Sequence, residues 1–416
     1  MSERKSSNTA KKAVKKAYKK NPKAFIISAI AIVLVIAITV TVIYFAFPDT
    51  WDSIMVAIGV KENNIQDDNG GNNTSNGDSS NGGSSSGGGN SNNNTTPPTL
   101  IDGELQIHFI DVGQGDCILI LFPDGKDMLI DCGNANASSS SNALWTSTIT
   151  YINTYVTDGQ LDYFMITHSD KDHVSFADDI LGAFDVDVIY MPFILAEPSN
   201  ASKANAVNNL DKSKLDLFTD DDTADSGVYA DFFISALSEP EAEIVLNIGQ
   251  YSIETEFYTL DFYCFAEADW EENTLKNAEE INAVSPIGIL EYNGKRIVLT
   301  GDSNEINEPK FIEQVGGTIF DCDVLKVGHH GSATSSTREF LDFINCEYAV
   351  ISCNASGNTF NHPRQATLDR LRAYEMELYR TDLHGTIVLV VDSNGTITFT
   401  TAKTTTEDIW VGADSK

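Results

Sequence analysis

The stretch THSDKDH at residues 167–173 is the most informative part of the sequence, because it holds two imidazoles and two carboxylates within six residues. It follows an apolar run at 162–167 that predicts a β-strand. Imidazole and carboxylate ligands together suit zinc, manganese or iron, and the lack of a thiolate disfavours a structural zinc site. The alternative interpretation is a solvated polar loop that begins a helix, with Asp172 or Ser169 as the N-cap.

The histidines are concentrated at predicted strand ends. Of the seven in the chain, five lie in loops that follow a predicted strand: His168, His173, His329, His330 and His362. His108 alternates within a predicted strand, which favours a structural role, and the sequence leaves the role of His384 open. Five apolar runs end in acidic or histidine-bearing loops, namely at Asp131, His168, Asp302, His329 and before His362. Polar side chains at strand ends along one rim are typical of the functional sites of layered α/β folds.

Residues 104–402 alternate short apolar runs with turns, which predicts an α/β fold. Strands are predicted at 105–111, 117–122, 128–131, 162–167, 287–292, 296–300, 324–327, 348–352, 386–391 and 396–400. Helices are predicted at 145–155 and 364–374. Two Asn-Gly pairs, Asn293-Gly294 and Asn394-Gly395, predict tight hairpins.

The N-terminal part has a different composition. Residues 1–23 are rich in lysine, and residues 24–47 form a run of 24 uncharged positions. As a helix this run extends about 36 Å, enough to cross a hydrocarbon core of about 30 Å. A cleaved signal peptide would have a shorter apolar core. We therefore expect a basic cytoplasmic tail at 1–23, a single transmembrane helix at 24–47, and the rest of the chain outside the cytoplasm.

Residues 48–98 are expected to be an extracytoplasmic linker, which is low-complexity from residue 63, and 99–416 one folded domain. The chain of 416 residues carries a net charge of −33, mostly after residue 98. The composition therefore lacks the overall positive charge that is typical of nucleic-acid-binding proteins. The long apolar runs exclude uniform disorder. Six cysteines are too sparse for a disulfide scaffold. Five of them are interpreted as buried small hydrophobic residues: Cys117, Cys132, Cys322, Cys346 and Cys353.

The HSDKDH run is similar to the H-x-[HD]-x-D-H signature of the metallo-β-lactamase superfamily. The flanking segments resemble one branch of it, the extracytoplasmic hydrolase domain of the competence protein ComEC. In chain order these segments are FIDVGQGD at 109–116, LIDCG at 129–133, LTGD at 299–302, LKVGHHGS at 325–332 and NHP at 361–363. The resemblance covers about residues 104–402. The multi-spanning channel of ComEC has no counterpart here, so the chain looks like a stand-alone relative of the hydrolase domain.

The resemblance implies an αββα sandwich with two divalent metal ions, zinc or manganese, at one edge. His168 and Asp170 would bind the first metal, Asp172 and His173 the second, with Asp302 bridging both and His362 completing the second site. Asp172 would also orient a metal-bound hydroxide, and His329 or His330, with Ser332, would face the oxyanion of the substrate. Which of the two adjacent histidines points inward is left open, as is whether one of them replaces His362 as a ligand. Asp111, Asp116 and Asp131 are expected to brace the loops.

Two positions depart from the superfamily pattern. Asp170 stands at the position where many members have the second histidine of the signature. The ComEC-like branch also has an aspartate there. No histidine lies between His173 and Asp302, where many members supply a further ligand to the first metal, and residues 282–285 (Asn-Ala-Val-Ser) occupy a similar place. Since Asn and Ser are poor zinc ligands, the first metal is expected to bind weakly, to be manganese, or to arrive with substrate.

Three functions remain open at this stage. The first is a membrane-anchored phosphodiesterase or nuclease acting outside the cell, with DNA as one candidate substrate. The second is a hydrolase of another envelope phosphodiester, a lactone or a lactam, which the acidic composition favours. The third is a non-catalytic tethered binding module. Cations in the C-terminal third could create a local site for phosphates: Lys326, Arg338, Arg364, Arg370, Arg372 and Arg380.

Overall fold

The computed structural model describes residues 103–137, 142–192, 195–196, 223–224, 227–264, 278–316, 320–356 and 358–415. The basic tail, transmembrane helix and linker expected at 1–98 lie outside these residues. Within the described ranges, no helix combines the length and apolar character needed to cross a membrane.

Most of the strands form two mixed sheets. The first sheet has eight strands in the order β17-β16-β1-β2-β3-β4-β5-β8, and the second has seven in the order β15-β14-β13-β12-β11-β10-β9. Strands β6 and β7 form a separate pair. The strands are β1 Leu105–Phe109, β2 Ile118–Leu121, β3 Asp127–Ile130, β4 Gln160–Met165, β5 Asp185–Met191, β6 Leu195–Ala196, β7 Thr223–Ala224, β8 Glu243–Leu246, β9 Gln250–Glu254, β10 Tyr258–Tyr263, β11 Ile287–Tyr292, β12 Lys295–Leu299, β13 Val324–Lys326, β14 Tyr348–Ile351, β15 Glu377–Arg380, β16 Ile387–Val391 and β17 Ile397–Thr401.

Helices cover the outer faces of both sheets. They are α1 Asn142–Tyr155, α2 Lys171–Val174, α3 Ala177–Ala183, α4 Gly227–Ser238, α5 Ala278–Asn282, α6 Glu308–Val315, α7 Arg338–Ile344, α8 Gln365–Ala373 and α9 Thr381–His384. Ile152 of α1, Ile180 of α3 and Phe233 of α4 pack in one core layer with the outer face of the first sheet. On the opposite side, α6, α7 and α8 pack on the second sheet. The expected αββα sandwich is confirmed.

The central core lies between the two sheets. Ile118 and Ile120 of β2 face this core, whereas Leu119, between them, faces the helices outside. Successive side chains of a strand point to opposite faces, so a strand buried on both sides needs a continuous apolar run. This requirement explains why the ILIL sequence of β2 and the apolar β16 are strands rather than helices.

The sequence-predicted hairpins are also present. β1 pairs antiparallel with β2, β11 with β12, and β16 with β17. At the β11–β12 turn both Asn293 (φ 48°) and Gly294 (φ 74°) are left-handed, as a two-residue turn that matches strand twist requires.

One cysteine interpretation was incomplete. Cys322 and Cys346 are buried in the core between the second sheet and its helices, as expected, but they are bonded to each other as a disulfide. The other four, Cys117, Cys132, Cys264 and Cys353, are buried free thiols. No local sequence pattern indicates this pairing, because the two bonded cysteines are 24 residues apart and meet only through the fold.

The strand ends that carry polar loops meet at one edge. β3 and β4 run parallel in the first sheet, and β12, β13 and β14 run parallel in the second. Their carboxyl ends therefore lie at the same edge of each sheet. Contacts between the loops of the two sheets join these edges into a single site.

Candidate metal centre

Four buried side chains converge at the joined edges of the sheets. One ligand atom from each of Asp116, His173, Asp302 and His330 lies within 4.8 Å of the other three. These residues come from four separate segments, which follow β1, β4, β12 and β13. All four are at most 2 % exposed, so the arrangement is part of the domain interior.

Neighbouring groups orient the two central histidines. His173 Nδ1 lies 2.8 Å from Asp131 Oδ2, and His330 Nδ1 lies 2.9 Å from the Ser352 carbonyl oxygen. Each Nδ1 therefore donates, which leaves each Nε2 with a lone pair, and the two Nε2 atoms are 3.2 Å apart. This carboxylate or carbonyl contact behind an imidazole is the usual arrangement around metal-binding histidines. Asp131 thus braces a candidate ligand, as the sequence predicted.

Asp302 lies in the middle of the cluster. Its Oδ1 is 3.2 Å from His173 Nε2, and its Oδ2 is 3.5 Å from His330 Nε2, 3.7 Å from His329 Nε2 and 3.9 Å from His168 Nε2. A carboxylate within 4 Å of four imidazole nitrogens can bridge two neighbouring cations. The bridging role that the resemblance implies for Asp302 requires a position of this kind.

His168 and Asp170 lie on one side of Asp302. His168 Nδ1 contacts the hydroxyls of Thr167 (3.1 Å) and Ser285 (3.3 Å), so its Nε2 points toward the cluster. Asp170 Oδ2 is 3.9 Å from that Nε2. In the amide orientation that satisfies both ends, Asn282 donates to Asp170 Oδ2 (3.0 Å) and accepts from His329 Nε2 (3.2 Å).

The two adjacent histidines have different environments. His330 points inward, and its Nε2 is 3.3 Å from Asp172 Oδ2. His329 is partly exposed, and its ring centroid lies 5.0 Å from that of His362. Both residues have left-handed backbones, with φ 47° and 50°. Such conformations are uncommon outside glycine and are concentrated at functional sites.

The helix-capping alternative for residues 167–173 is wrong. The N-cap of α2 is Asp170, not Asp172 or Ser169, and its side chain makes no capping hydrogen bond. The chain is instead held in place by backbone contacts: Cys132 N donates to His173 O (2.8 Å), and a Cβ at Gly133 would overlap the backbone of Asp172 and His173. The LIDCG segment therefore needs its glycine for close approach to the ligand-bearing helix.

Two of the cations predicted to attract phosphates are buried. Lys326 is fully buried, pairs with Asp116 and donates to the Gly301 carbonyl oxygen (2.9 Å). Arg380 is 1 % exposed and pairs with Asp382 (2.8 Å). The expectation that these two cations face a substrate is therefore wrong. Lys326 instead compensates the negative charge beneath the cluster.

The other residues singled out in the sequence lie outside the four-residue cluster. Ser332 follows the two adjacent histidines, and its hydroxyl is 3.1 Å from that of Thr334. Asp111 is at the surface, 3.2 Å from Lys403. His384 contacts the backbone of Arg380, outside the cluster. His108 is buried in β1 and bonds Tyr151 (2.7 Å), which agrees with a structural role.

Burial and neighbouring charges shift the pKa values of the titratable groups in and around the cluster. Burial raises the pKa of a carboxyl group in general, but His173, His330 and His329 together hold the pKa of Asp302 well below its usual range. Burial lowers the pKa of His173, yet Asp302 and Asp131 raise it well above the ordinary value. Burial and neighbouring His173 hold the pKa of His168 well below its ordinary value. Burial likewise lowers the pKa of His362 to about 3.

An open cavity of about 560 Å³ reaches the cluster. Its floor includes Asp170, Asp172, Asp302 and His329. Its wall carries further side chains of mixed chemistry: Asn282, Ser332, Thr334, Phe360, His362 and Arg364. A cavity of this volume accommodates a ligand the size of a nucleotide.

The residues present fit a divalent metal. The cluster offers imidazole nitrogens and carboxylate oxygens without thiolate, which is a donor set for zinc, manganese or iron. The Nε2 atoms of His173 and His330 face each other at 3.2 Å. Since the Nδ1 contacts leave a lone pair on each Nε2, a proton or a cation is needed between or beside them. In the described part of the chain, the buried His362 Nδ1 also has no hydrogen-bond partner.

Comparison with known proteins agrees with this geometry. A model of the metallo-β-lactamase superfamily matches residues 110–232. The matched segment begins directly after β1, includes the HSDKDH run and ends within α4. The cluster supplies metal-binding groups at the edge of the fold where the resemblance places a metal site.

Curated relatives of the metallo-β-lactamase domain are of the ComEC type. The chain is 34% identical over 151 residues to competence protein ComA of Neisseria gonorrhoeae, which covers 34% of this chain and 21% of that protein. It is 26% identical over 297 residues to ComE operon protein 3 of Bacillus subtilis, which covers 69% of this chain and 33% of that protein. The chain thus spans a third or less of these relatives. The resemblance to ComEC-type proteins is confirmed.

A solved structure also shares part of the architecture. The metallo-beta-lactamase fold protein YhfI from Bacillus subtilis aligns with a TM-score of 0.38 and 10% identity, over 71% of this chain and 100% of that one.

Proposed function

We propose that the chain is a membrane-anchored phosphodiesterase that acts outside the cytoplasm and cleaves nucleic acid. The observation that carries the proposal is Asp302, which lies within 3.9 Å of four imidazole nitrogens beside an open cavity. The same cavity is lined by the guanidinium of Arg364 and the hydroxyl of Ser332. A centre of this kind next to anion-binding groups suits phosphodiester hydrolysis.

The proposed ligands follow the two sides of Asp302. His168 and Asp170 hold the first metal, Asp172 and His173 the second, and Asp302 bridges them. We add His330 to the second site, because its Nε2 faces both Asp172 (3.3 Å) and Asp302 (3.5 Å).

The first site is the weaker one in this proposal. Asn282 stands where many superfamily members have a further metal ligand. Its amide hydrogen-bonds to Asp170 and His329 and has no nitrogen lone pair to offer a metal. His362 remains a predicted ligand, supported by its unpartnered Nδ1 among the described residues. Zinc and manganese are both compatible with these donors.

The chemistry at the site divides between metal and protein. A divalent metal bound here would lower the pKa of a water toward neutrality and stabilise charge on the attacked phosphate. Asp172, beside His330, would accept a hydrogen bond from the attacking water and orient it. Burial lowers the pKa of His329, and this imidazole, which lines the cavity, would face a phosphate oxygen. Arg364 and Ser332 bind the other oxygens.

Two observations support the proposed location. Residues 24–47 have the length and composition of a single transmembrane helix with 1–23 in the cytoplasm, and 48–98 would tether the hydrolase domain at 99–416. The Cys322–Cys346 disulfide suits an oxidising compartment outside the cytoplasm.

Nucleic acid is the proposed substrate for two reasons. The names of the relatives, competence proteins and recombination protein 2 of Haemophilus influenzae, associate this type of domain with DNA. The cavity is local and carries Arg364, so a single strand can enter at one phosphate despite the acidic chain. Because Lys326 and Arg380 are buried, tight binding of long duplex is not expected.

The test uses the full chain in detergent, stripped of metal and reloaded with zinc or manganese. Single-stranded DNA and a glycerol phosphodiester polymer are incubated with the wild type and Asp302→Ala. Metal-dependent cleavage of DNA, lost in Asp302→Ala, supports the proposal. Cleavage of the glycerol polymer alone would replace it with an envelope phosphodiesterase, and stoichiometric metal binding without cleavage of either would direct the search to lactones and lactams.

A further inference from the structure

The loop between β14 and α8 presents an aromatic ring to solvent. Phe360 is 50% exposed, and Phe257 is the other large hydrophobic side chain with that exposure in the described part of the chain. Phe257 lies at the turn before β10, whereas Phe360 lies on the wall of the cavity above the metal centre. A single exposed phenylalanine is ordinary on a protein surface, so its position and support decide whether it has a role.

The loop that carries Phe360 is held in place from both sides. Asn358 Nδ2 donates to the His362 carbonyl oxygen (2.7 Å) and to that of Asn354, while His362 N donates to Asn358 Oδ1 (3.2 Å). Beyond the loop, Arg364 N donates to the Gly331 carbonyl oxygen (2.9 Å). These bonds close the loop on itself and anchor it next to the two adjacent histidines. The exposed ring is therefore presented by an organised segment.

A row of rings leads from Phe360 to the metal centre. The centroids of Phe360 and His362 are 6.1 Å apart, and those of His362 and His329 are 5.0 Å apart. His329 Nε2 is in turn 3.7 Å from Asp302. Arg364, on the same loop, lines the cavity and is about two-thirds buried, with Asp414 3.9 Å away.

We propose that Phe360 is a stacking platform for the base of the nucleotide whose phosphodiester is cleaved, with Arg364 contacting the phosphate that is attacked. This inference rests on the proposed function and specifies its substrate class, a phosphodiester that bears a nucleobase. A base stacked on an exposed ring removes apolar area of both partners from water, and such stacking is tolerant of base identity. A polyol phosphodiester has no ring to cover Phe360, so the platform distinguishes the two phosphodiester classes.

The test compares two substrates that share a leaving group. Thymidine 5′-(p-nitrophenyl phosphate) and methyl p-nitrophenyl phosphate both release p-nitrophenolate from a phosphodiester, but only the first carries a base. For the metal-loaded full chain, we expect Phe360→Ala to lower kcat/KM for the thymidine substrate by about tenfold, mainly through KM, since stacking of this strength is typical. The methyl substrate should be unaffected. Phe360→Tyr should behave as the wild type, and Phe257→Ala is the matched control.

Two kinetic results would overturn the platform. An unchanged ratio of the two kcat/KM values in Phe360→Ala would show that the ring does not contact the base. An equal loss for both substrates, or a loss in Phe360→Tyr as large as in Phe360→Ala, would show that the ring only supports the loop.

A binding measurement separates this inference from the proposed function. Phe360→Trp should show fluorescence quenching by thymidine 5′-monophosphate beyond that of the wild type, and ribose 5-phosphate should produce none. If the wild type hydrolyses neither substrate, the proposed function fails, but this quenching would still support the platform. Its absence in a folded variant would contradict the platform whatever the activity.

Discussion

The contact between Asp131 and His173 offers a direct way to weaken metal binding without touching a ligand. Asp131 Oδ2 accepts from His173 Nδ1 (2.8 Å), and the same carboxylate accepts from Thr167 N and Thr167 Oγ1 (both 2.8 Å). All three residues are buried. In Asp131→Asn, the amide oxygen keeps the bond to Thr167 N, and the amide N–H₂ then faces His173 Nδ1. Since two donors cannot pair, His173 must move its proton to Nε2, the atom that faces Asp302.

This change of tautomer removes the lone pair that a metal needs. We therefore expect the dissociation constant of the second metal to increase about 10- to 100-fold, a loss of about 1.4–2.8 kcal/mol. The left-handed backbone of Asp131 (φ 55°) tolerates asparagine, so the fold should be retained. Calorimetric titration of the metal-stripped chain with zinc or manganese measures the constants. Asp111→Asn is the control, because Asp111 is a loop aspartate that contacts Lys403 rather than a histidine.

The wild-type constant in a folded Asp131→Asn chain would refute this reasoning. It would mean that His173 does not present Nε2 to a metal, and that its contact with Asp131 serves only the fold. An equal loss of affinity in Asp111→Asn would show that the effect is a general response to lost negative charge.

Three further predictions concern stability, each measured by urea unfolding. Gly133→Ala should destabilise the fold by about 1–3 kcal/mol, because its Cβ would overlap the backbone of the ligand-bearing helix; an unchanged midpoint would contradict that close packing. Burial lowers the pKa of His108 to about 3, below its value in the unfolded chain. The contribution of His108 to the free energy of unfolding is therefore full above about pH 6.5. It is lost as the pH falls toward 3, because the unfolded chain takes up a proton on this residue and the folded chain does not. Between pH 7 and pH 5 the wild type should lose about 2 kcal/mol more than His108→Gln, and parallel curves would refute this. Replacing Cys322 and Cys346 with serine should cost about 3 kcal/mol; identical unfolding of reduced and oxidised wild type would show that the bond does not contribute.

Much of the fold was predictable because the strands next to the site have strong local signals. The ILIL run of β2 and the Asn293-Gly294 turn each specify their structure within a few residues. The polar residues at strand ends were also predictable, since His168 and Asp302 directly follow apolar runs. Seven strands, β5–β10 and β15, were not predicted. Two of them, β8 and β9, are edge strands whose residues are all exposed or partly buried, a weaker signal than a continuous apolar run.

The details of the site depend on contacts between distant segments. That His330 rather than His329 points inward follows from two successive left-handed residues, which no local propensity indicates. Asp116 and Lys326 lie 210 positions apart, and only the approach of the two sheets pairs them. For the same reason Lys326 looked like a surface cation in the sequence. The exposed ring of Phe360 carried no sequence signal, because a phenylalanine is normally read as part of the core.

The central claim is that the cluster around Asp302 is a metal centre that hydrolyses phosphodiesters. The most direct measurement is turnover of bis(p-nitrophenyl) phosphate by the full chain, metal-stripped and then reloaded, with bound metal counted by mass spectrometry. The account predicts turnover that appears on reloading, is lost in Asp302→Ala together with bound metal, and is retained in Glu339→Ala, a change of an exposed carboxylate on α7. Turnover that survives Asp302→Ala, or a wild type that neither binds metal nor turns over, would contradict it.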